Sequence, residues 1–365
     1  MAVSRINEAG LNVNQYGNRN LVINGAMNVA QRGTSSTSSG VKTIDRFAFN
    51  ASSYDEAAFT QTQSSVAPSG FVKSYRIDCT TVESTLAADE IANVSQVIEA
   101  QDLQHIQNGS SDAKSLTLSF YVKSNKTGTY TVNFYKPDNT ARHISSTYNI
   151  NTADTWEYKT ITIAGDTSGG GIANDTGAGL YLYWILSAGS DYTSSDSTSW
   201  GNYANAGFAY GQTVNIFDST SNDWAVTGVQ LEVGDTATDF EHRTFADELI
   251  KCERYLQKRG TDTSGWEFLA DAGQLGSATA YQCAVRFRQK MRAAPSFSYT
   301  GNLSDIYLVR AFSTHAISSV SIADNTNGNT LLLTGAVANT SGSAGEQTRM
   351  QTLTAGTNFF FDAEL

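Results

Sequence analysis

Residues 224–257 read WAVTGVQLEVGDTATDFEHRTFADELIKCERYLQ. The first part has the make-up of a closing β-strand, the acidic and threonine-rich middle reads as a turn, and the remainder reads as one short amphipathic helix. Thr244 with Asp247 three residues on is a capping-box arrangement that satisfies free backbone N–H groups. Phe245, Leu249, Cys252 and Leu256 then fall on one stripe. Asp247 and Glu248 precede Lys251, Arg254, Lys258 and Arg259, the order that suits the helix dipole, and Gly260 supplies a stop. Residues 261–365 return to β-pattern, so the helix over 244–260 is expected to join two β-domains.

The whole chain supports that division. Its 365 residues suffice for two domains of ordinary size. Gly, Ser, Thr, Asn and Asp are abundant, there are 17 Phe and 17 Tyr, and only 3 Pro, which predicts many short strands joined by polar turns. No apolar run is long enough to span a bilayer, and the start MAVSRINEAGLNVNQYG has no apolar signal core, so neither membrane insertion nor export by that route is expected. The balance of 24 basic and 35 acidic residues gives a net charge of −11, which argues against nucleic acid as a partner, because affinity for phosphate backbones comes from Lys and Arg displacing counterions. Cys79, Cys252 and Cys283 are an odd number without metal-site spacing, so synthesis in a reducing cytoplasm is expected rather than a disulfide framework.

Upstream of the closing strand, residues 1–19 are polar and weakly patterned and read as an attachment arm that orders against something else, or else as a frayed terminus. From residue 20 strand-like runs recur: 21–29, 43–50, 71–79, 91–99, 115–124 and 128–135, then runs near 156, 179 and 224. Leu116, Leu118, Phe120 and Val122 alternate strictly, as do Tyr130, Val132 and Phe134, so one face of each of those strands is expected to be buried. Such a succession over 20–243 predicts a two-sheet jelly-roll sandwich. Residues 187–223 are read as a long surface excursion held down by its aromatics. Beyond the helix, runs at 281–291, 296–300, 305–312, 316–322, 329–334, 348–353 and 358–364 predict a second, smaller antiparallel β-sandwich. The fold class is therefore all-β, with one linking α-helix.

Four separated segments, RNLVINGAMNVAQRGTSS at 19–36, TIDRFAFN at 43–50, residues 226–257 and FRQKMRAAPSFSYTG at 287–301, recur in this order in a family that the chain resembles. These are tail-fibre and virion-surface proteins of tailed bacteriophages, many from marine and cyanobacterial hosts. The first domain is similar to jelly-roll carbohydrate-binding modules that begin with an N-L-x-x-N-G strand and end with a G-V-x-L-E strand, here residues 20–25 and 228–232. Such modules often hold a structural calcium. Ala26, Met27 and Asn28 stand where an acidic ligand is expected, so neither that ion nor any other cofactor is assigned.

What the resemblance implies is a structural tail fibre or spike on the virion surface. It would be a homotrimer, docked to tail or capsid proteins by its N-terminal arm and attached to a host surface glycan by its distal β-domains. A capsid-attached head fibre or decoration protein is the alternative, and a capsule or lipopolysaccharide depolymerase the enzymatic one.

Among candidate sites, the aromatics of the excursion lead, since flat rings stack on the apolar faces of sugars while Asn, Asp and Ser bond their hydroxyls. Trp200 and Tyr203 are the favoured pair, with Tyr192 and Tyr210 beside them; the same rings would equally pin the loop or line a trimer interface. In YQCAVRFRQKMR, residues 281–292, strand alternation places Arg286, Arg288, Lys290 and Arg292 on one candidate anion-binding face, or on a solvated edge whose charges block unwanted pairing. His105, His143, His242 and His315 are isolated, and Asp218, Thr220 and Asn222 lack the glycine and distal glutamate of a calcium loop, so no metal is expected. Asp89, Glu90, Glu99 and Asp102 lie near enough in sequence to raise a carboxylate pair, but no nucleophile elbow, zinc helix or phosphate loop accompanies them, and no catalytic residues are assigned.

Overall fold

Leu116, Leu118, Phe120 and Val122 are all buried, and so are Tyr130, Val132 and Phe134, so the two strongest alternating runs turn one face each into the same core. The computed structural model describes residues 18–83, 85–263, 265–310, 313–324, 328–337 and 343–365, and the expected arm at 1–19 lies, but for its last two residues, outside the described residues. Two compact units divide the chain, the first ending at Glu248 and the second formed by Leu249–Leu365.

In the first unit the described strands are β1 (Ser35–Ser36), β2 (Phe47–Ser52), β3 (Ala58–Ser64), β4 (Ser74–Thr81), β5 (Ile91–Glu99) and β6 (Leu116–Ser124). They continue with β7 (Gly128–Lys136), β8 (Arg142–Ile150), β9 (Glu157–Ile163), β10 (Ala178–Ala188), β11 (Gly201–Asn202) and β12 (Asp223–Val233). Two antiparallel sheets result, one in the order β1-β3-β4-β12-β6-β9 and the other β11-β8-β7-β10-β5-β2. Their facing sides share one aromatic-rich core, in which fully buried Trp184 meets Phe120 edge-on at 5.9 Å and Trp224 donates from Nε1 to the Tyr148 hydroxyl at 3.2 Å. Pairing the buried indole N–H with a phenol avoids the cost of an unmet donor. This is the all-β sandwich expected from the strand pattern.

Residues 21–29, expected as a strand, do not form one. Asn24 and Met27 adopt φ of 62° and 59°, which break the extended path, and the Met27 N–H closes a turn onto the Asn24 carbonyl at 2.8 Å. The Asn24 side chain then acts as a backbone surrogate. Its Nδ2 donates to the carbonyls of Val29 (2.8 Å) and Asp45 (3.0 Å), while its Oδ1 accepts from Val29 N (3.0 Å). Asn20 does the same toward the closing strand: its Nδ2 donates to Val229 O at 3.0 Å and its Oδ1 accepts from Leu231 N at 3.1 Å. The asparagines of N-L-x-x-N-G therefore stitch the start of the domain to its end through side chains.

The helix begins as expected but is shorter. Thr244 Oγ1 accepts from the Asp247 N–H at 3.2 Å and donates to its carboxylate at 2.6 Å. The helix, α2, spans Phe245–Glu253 and follows a single turn α1 (Ser190–Thr193) in the excursion. Residues 256–260, expected to be helical from their charge order, belong instead to strand β13 (Leu256–Thr261), and Phe245 at the head of the expected stripe is 59 % exposed. Gly260, read as a helix stop, instead lies in that strand with φ of 126°, and a Cβ there would come within 2.3 Å of the Thr357 carbonyl.

The second unit adds β14 (Glu267–Leu275), β15 (Ala280–Arg286), β16 (Ser296–Tyr299), β17 (Ile306–Arg310), β18 (Ser313–Ala316) and β19 (Ser321–Asp324). It ends with β20 (Thr330–Ala336), β21 (Gln347–Thr352) and β22 (Thr357–Asp362). A three-stranded sheet β13-β22-β16 faces a seven-stranded one, β18-β17-β21-β14-β15-β20-β19, across a core in which Phe359 and Phe361 of β22 meet Leu269, Tyr281, Leu308 and Met350. The strand expected over 316–322 is in fact the connection between β18 and β19, with only its ends in strands.

Candidate aromatic platform

Strand β10 sends Leu180, Leu182, Trp184 and Leu186 into the core, so by the two-residue period Tyr181 and Tyr183 stand on the opposite, outward face of the second sheet. Registration then lines them up with their neighbours. Tyr181 sits beside Val97 on β5 and Tyr135 on β7, and Tyr135 beside His143 on β8; one step along, Tyr183 sits between Ser95 and Asn133, and Asn133 beside Ser145. Tyr181 and Tyr183 are parallel at 5.6 Å, and Tyr135 lies 5.6 Å from Tyr181.

The excursion completes the face. Short β11 extends the sheet by pairing with β8, and the Tyr203 N–H donates to Ala141 O at 2.8 Å. That places the Tyr203 ring 5.0 Å from Tyr135 and 5.4 Å from His143, with its hydroxyl donating to Asn205 Oδ1 at 2.6 Å. Beneath it, buried Phe208 meets Tyr183 edge-on at 5.0 Å. Four phenol rings, half-buried in Tyr135, Tyr181 and Tyr183 and 39 % exposed in Tyr203, thus share one face with Asn133, Ser95 and His143.

This surface is uncharged near neutral pH. Burial raises the phenols of Tyr181, Tyr183 and Tyr203, and their mutual repulsion as phenolates adds to it, so they remain hydroxyls. Burial also lowers His143, whose Nδ1 lies 3.2 Å from Asn133 Nδ2, and the imidazole stays neutral. The unfolded chain therefore protonates at His143 first as pH falls. The stability carried by the neutral ring is complete above about 6.5 and is lost as pH falls through the lower folded value. Acidification from pH 7 to 5 is expected to lower the thermal midpoint of the first unit, and His143→Gln to flatten that part of the profile in calorimetry.

The four aromatics singled out from the sequence do not converge. Trp200 and Tyr203 flank β11 at an odd separation, so the pleat turns them to opposite sides. Trp200 packs against the sandwich core, donates from Nε1 to Ala164 O at 2.8 Å, and with Tyr210 lines a groove of about 710 Å³ between β8 and β9. Tyr192 packs with Ile91, Ile185 and Phe208 at the other side of the platform, and its hydroxyl reaches Asp89 O at 3.4 Å. Tyr135, Tyr181 and Tyr183 were missed; the signal for them was the second phase of GLYLYWIL and GTYTVNFY, whose first phase is core.

The four-base face is a correction. Strand β15 ends at Arg286, the chain turns as Phe287 N bonds Asn329 O at 3.0 Å, and the bases disperse. Arg288 pairs with Glu253 at 3.1 Å, Arg292 donates to the carbonyls of Ala363 (2.8 Å) and Glu364 (2.9 Å), and Lys290 is exposed. Satisfying two C-terminal carbonyls and a carboxylate outweighs keeping like charges in one row. Among the described residues no three His, Cys, Asp or Glu side chains converge as a metal site. Glu90 and Glu99 lie at opposite ends of extended β5, roughly 30 Å apart at a strand's rise per residue, too far for two carboxylates to flank one glycosidic bond.

No family model matches the chain, and no curated protein matches it. Among solved structures it is similar to the enzymatically active domain of tailspike protein 4 of bacteriophage CBA120, at 12 % identity and TM-score 0.32 over 59 % of this chain and 21 % of that one. It is also similar to the family 11 carbohydrate-binding module of the Clostridium thermocellum cellulase Lic26A-Cel5E, at 10 % identity and TM-score 0.29, covering 57 % of this chain and 98 % of the module. A third is the CBM22-1–GH10 portion of Clostridium thermocellum xylanase 10B, at 12 % identity and TM-score 0.31, covering 60 % of this chain and 29 % of that one. The chain thus spans about a fifth of the tailspike chain's length.

Proposed function

We propose that this protein binds glycans through the platform of Tyr135, Tyr181, Tyr183 and Tyr203, and that it does so as a tail fibre or spike on the surface of a tailed bacteriophage. The platform carries the binding part of the reading. Several phenol rings lie side by side on a sheet, with the exposed Asn205 at their rim and the buried Asn133 and Ser95 holding the strands beneath them, a surface suited to the apolar face of a pyranose, whose hydroxyls the phenols and Asn205 can meet. The virion part of the reading rests on the resemblance of the four segments at 19–36, 43–50, 226–257 and 287–301 to tail-fibre and virion-surface proteins. Attachment would be the whole activity, without catalysis.

Copies linked in a homotrimer, docked to the particle by the N-terminal arm, would turn weak single-site contacts into avidity gains of about a hundred-fold or more. The test is a glycan array and adsorption assay on purified protein carrying Tyr181→Ala or Tyr203→Ala. Both substitutions are expected to remove array binding and reduce adsorption at least ten-fold while the melting midpoint moves by only a few degrees, about what a half-exposed ring contributes. Full binding by both variants would overturn the assignment, and immunogold labelling of particles would locate the protein on tail or shell.

A further inference from the structure

The opposite face of the same unit carries a second, separate aromatic groove. Tyr121 of β6 is in register with Tyr158 of β9, and Ser119 with Thr160, so two cross-strand rows face outward on the first sheet. Tyr158 is 47 % exposed and lies 5.0 Å from Tyr121, which lies 5.5 Å from Phe71. Phe240 and His242, from the segment that follows β12, stand 5.0 and 5.3 Å from Phe71 and form the far wall.

The floor under Phe71 is made by a glycine. Between Thr227 and Gln230 the pairing of β12 with β6 slips through a bulge, and Gly228 in it takes φ of 62°. A Cβ at 228 would come within 2.6 Å of Phe71 Cζ and 3.1 Å of Tyr121 Cδ2. The glycine of G-V-x-L-E therefore serves twice, taking the left-handed backbone of the bulge and leaving room for the Phe71 ring against the strand. The resulting groove encloses about 490 Å³, inside the ~300–1,000 Å³ range of small-ligand sites.

Its lining decides the ligand class. Phe71, Tyr121, Tyr158 and Phe240 line it together with the hydroxyls of Ser69 and Thr160, a mixture suited to a ring with one apolar face and a polar edge. Neither Lys nor Arg lines it, and the one carboxylate, Asp239, would repel an acidic sugar. We infer that this groove is a second carbohydrate site, selective for neutral hexopyranoses and independent of the platform, so that one unit can hold two glycan strands on its two sheets.

The experiment is saturation-transfer NMR with methyl β-D-glucopyranoside and methyl β-D-galactopyranoside, and with galacturonate as the acidic control. The protein is the full chain carrying Tyr181→Ala and Tyr203→Ala, so that the platform is already silenced. Transfer to at least one neutral glycoside is expected to persist, to stay absent for galacturonate, and to fall at least five-fold when Tyr158→Ala is added. Gly228→Val should have the same effect by lifting Phe71; Tyr158→Ala, an exposed position, keeps the test valid if Gly228→Val fails to fold.

No transfer to either neutral glycoside, transfer unchanged by Tyr158→Ala, or equal transfer to galacturonate overturns the inference. A concentration-dependent dimer abolished by Tyr158→Ala in light scattering would also overturn it, by assigning the face to a second copy. These outcomes are separable from failure of the platform, which is read in variants that leave Tyr158 intact.

Discussion

Gly25→Ala is expected to lower the unfolding midpoint of the first unit by about 10 °C, and Gly25→Val by more. The offending atom is the Cβ itself, which would be placed 2.1 Å from the Val229 carbonyl oxygen and 3.1 Å from its carbon. Both are backbone atoms of a central strand, so no side chain can swing aside. The approach is this close because the two segments are bonded: Val229 N donates to Gly25 O at 2.9 Å, beside the Asn20 side-chain bond to Val229 O. Opening the gap loses those bonds as well as introducing overpacking, for a total of about 3–4 kcal/mol. At roughly 2–4 °C per kcal/mol for a domain of this size, the midpoint moves by about 10 °C. Gly201→Ala is the matched control, since the nearest atom to its Cβ would be Ser199 O at 3.9 Å, and its midpoint should stay within a degree or two. Calorimetry on the three proteins checks this, and equal midpoints for Gly25→Ala and Gly201→Ala would mean that the two motifs are not stitched as described.

That stitch marks the limit of what periodicity conveys. Strands β5, β6, β7 and β10 were legible because one phase of each is apolar and the other is not, or because the run is short and bounded by turn residues. Residues 21–29 carry as many apolar side chains, and Val22, Met27 and Val29 are indeed buried, but burial there is achieved by a turn that Asn24 holds open. A pattern of apolar residues reports that a segment faces a core and not how its backbone reaches it. The helix shows the same ambiguity at its end: Leu256 is buried as the stripe required, yet it is buried from a strand whose partner β22 lies a hundred residues away in the chain. Of the site, the sequence pointed to the excursion because its aromatics were conspicuous among polar residues. The sheet under it was overlooked because Tyr181 and Tyr183 alternate with core residues inside one strand, where the apolar phase is the conspicuous one. Which of Trp200 and Tyr203 faces the platform depends on β11, a two-residue strand that no propensity would announce.

Lys136→Met should cost about as much as the glycine substitution and should also weaken the platform. Lys136 closes β7 with its side chain fully enclosed, and its three ammonium protons meet three carbonyls: Asp138 O at 2.9 Å, Gly169 O at 2.9 Å and Gly170 O at 3.0 Å. Methionine keeps the stem and its packing but leaves those acceptors unmet. Losing charge-assisted bonds is partly offset by no longer burying an ammonium, for a net loss of about 2–4 kcal/mol. Arginine would not rescue it, because a planar fork cannot serve three carbonyls converging on one point.

The loop that Lys136 tethers also contains Asp166, which is buried and pairs with Arg142 Nε at 2.6 Å; Arg142 in turn donates to Trp200 O at 3.0 Å and to Asn202 Oδ1 at 3.3 Å. Asn202 is the last residue of β11, and Tyr203 follows it. Freeing the loop is therefore expected to loosen β11 and with it the one platform ring that comes from the excursion, leaving Tyr135, Tyr181 and Tyr183 in place. At a temperature where Lys136→Met is fully folded, glycan affinity should fall by about the same factor as in Tyr203→Ala, and the two substitutions combined should be no worse than either alone, because both act on the same ring. Additive losses would show that Lys136 stabilises the fold without positioning Tyr203.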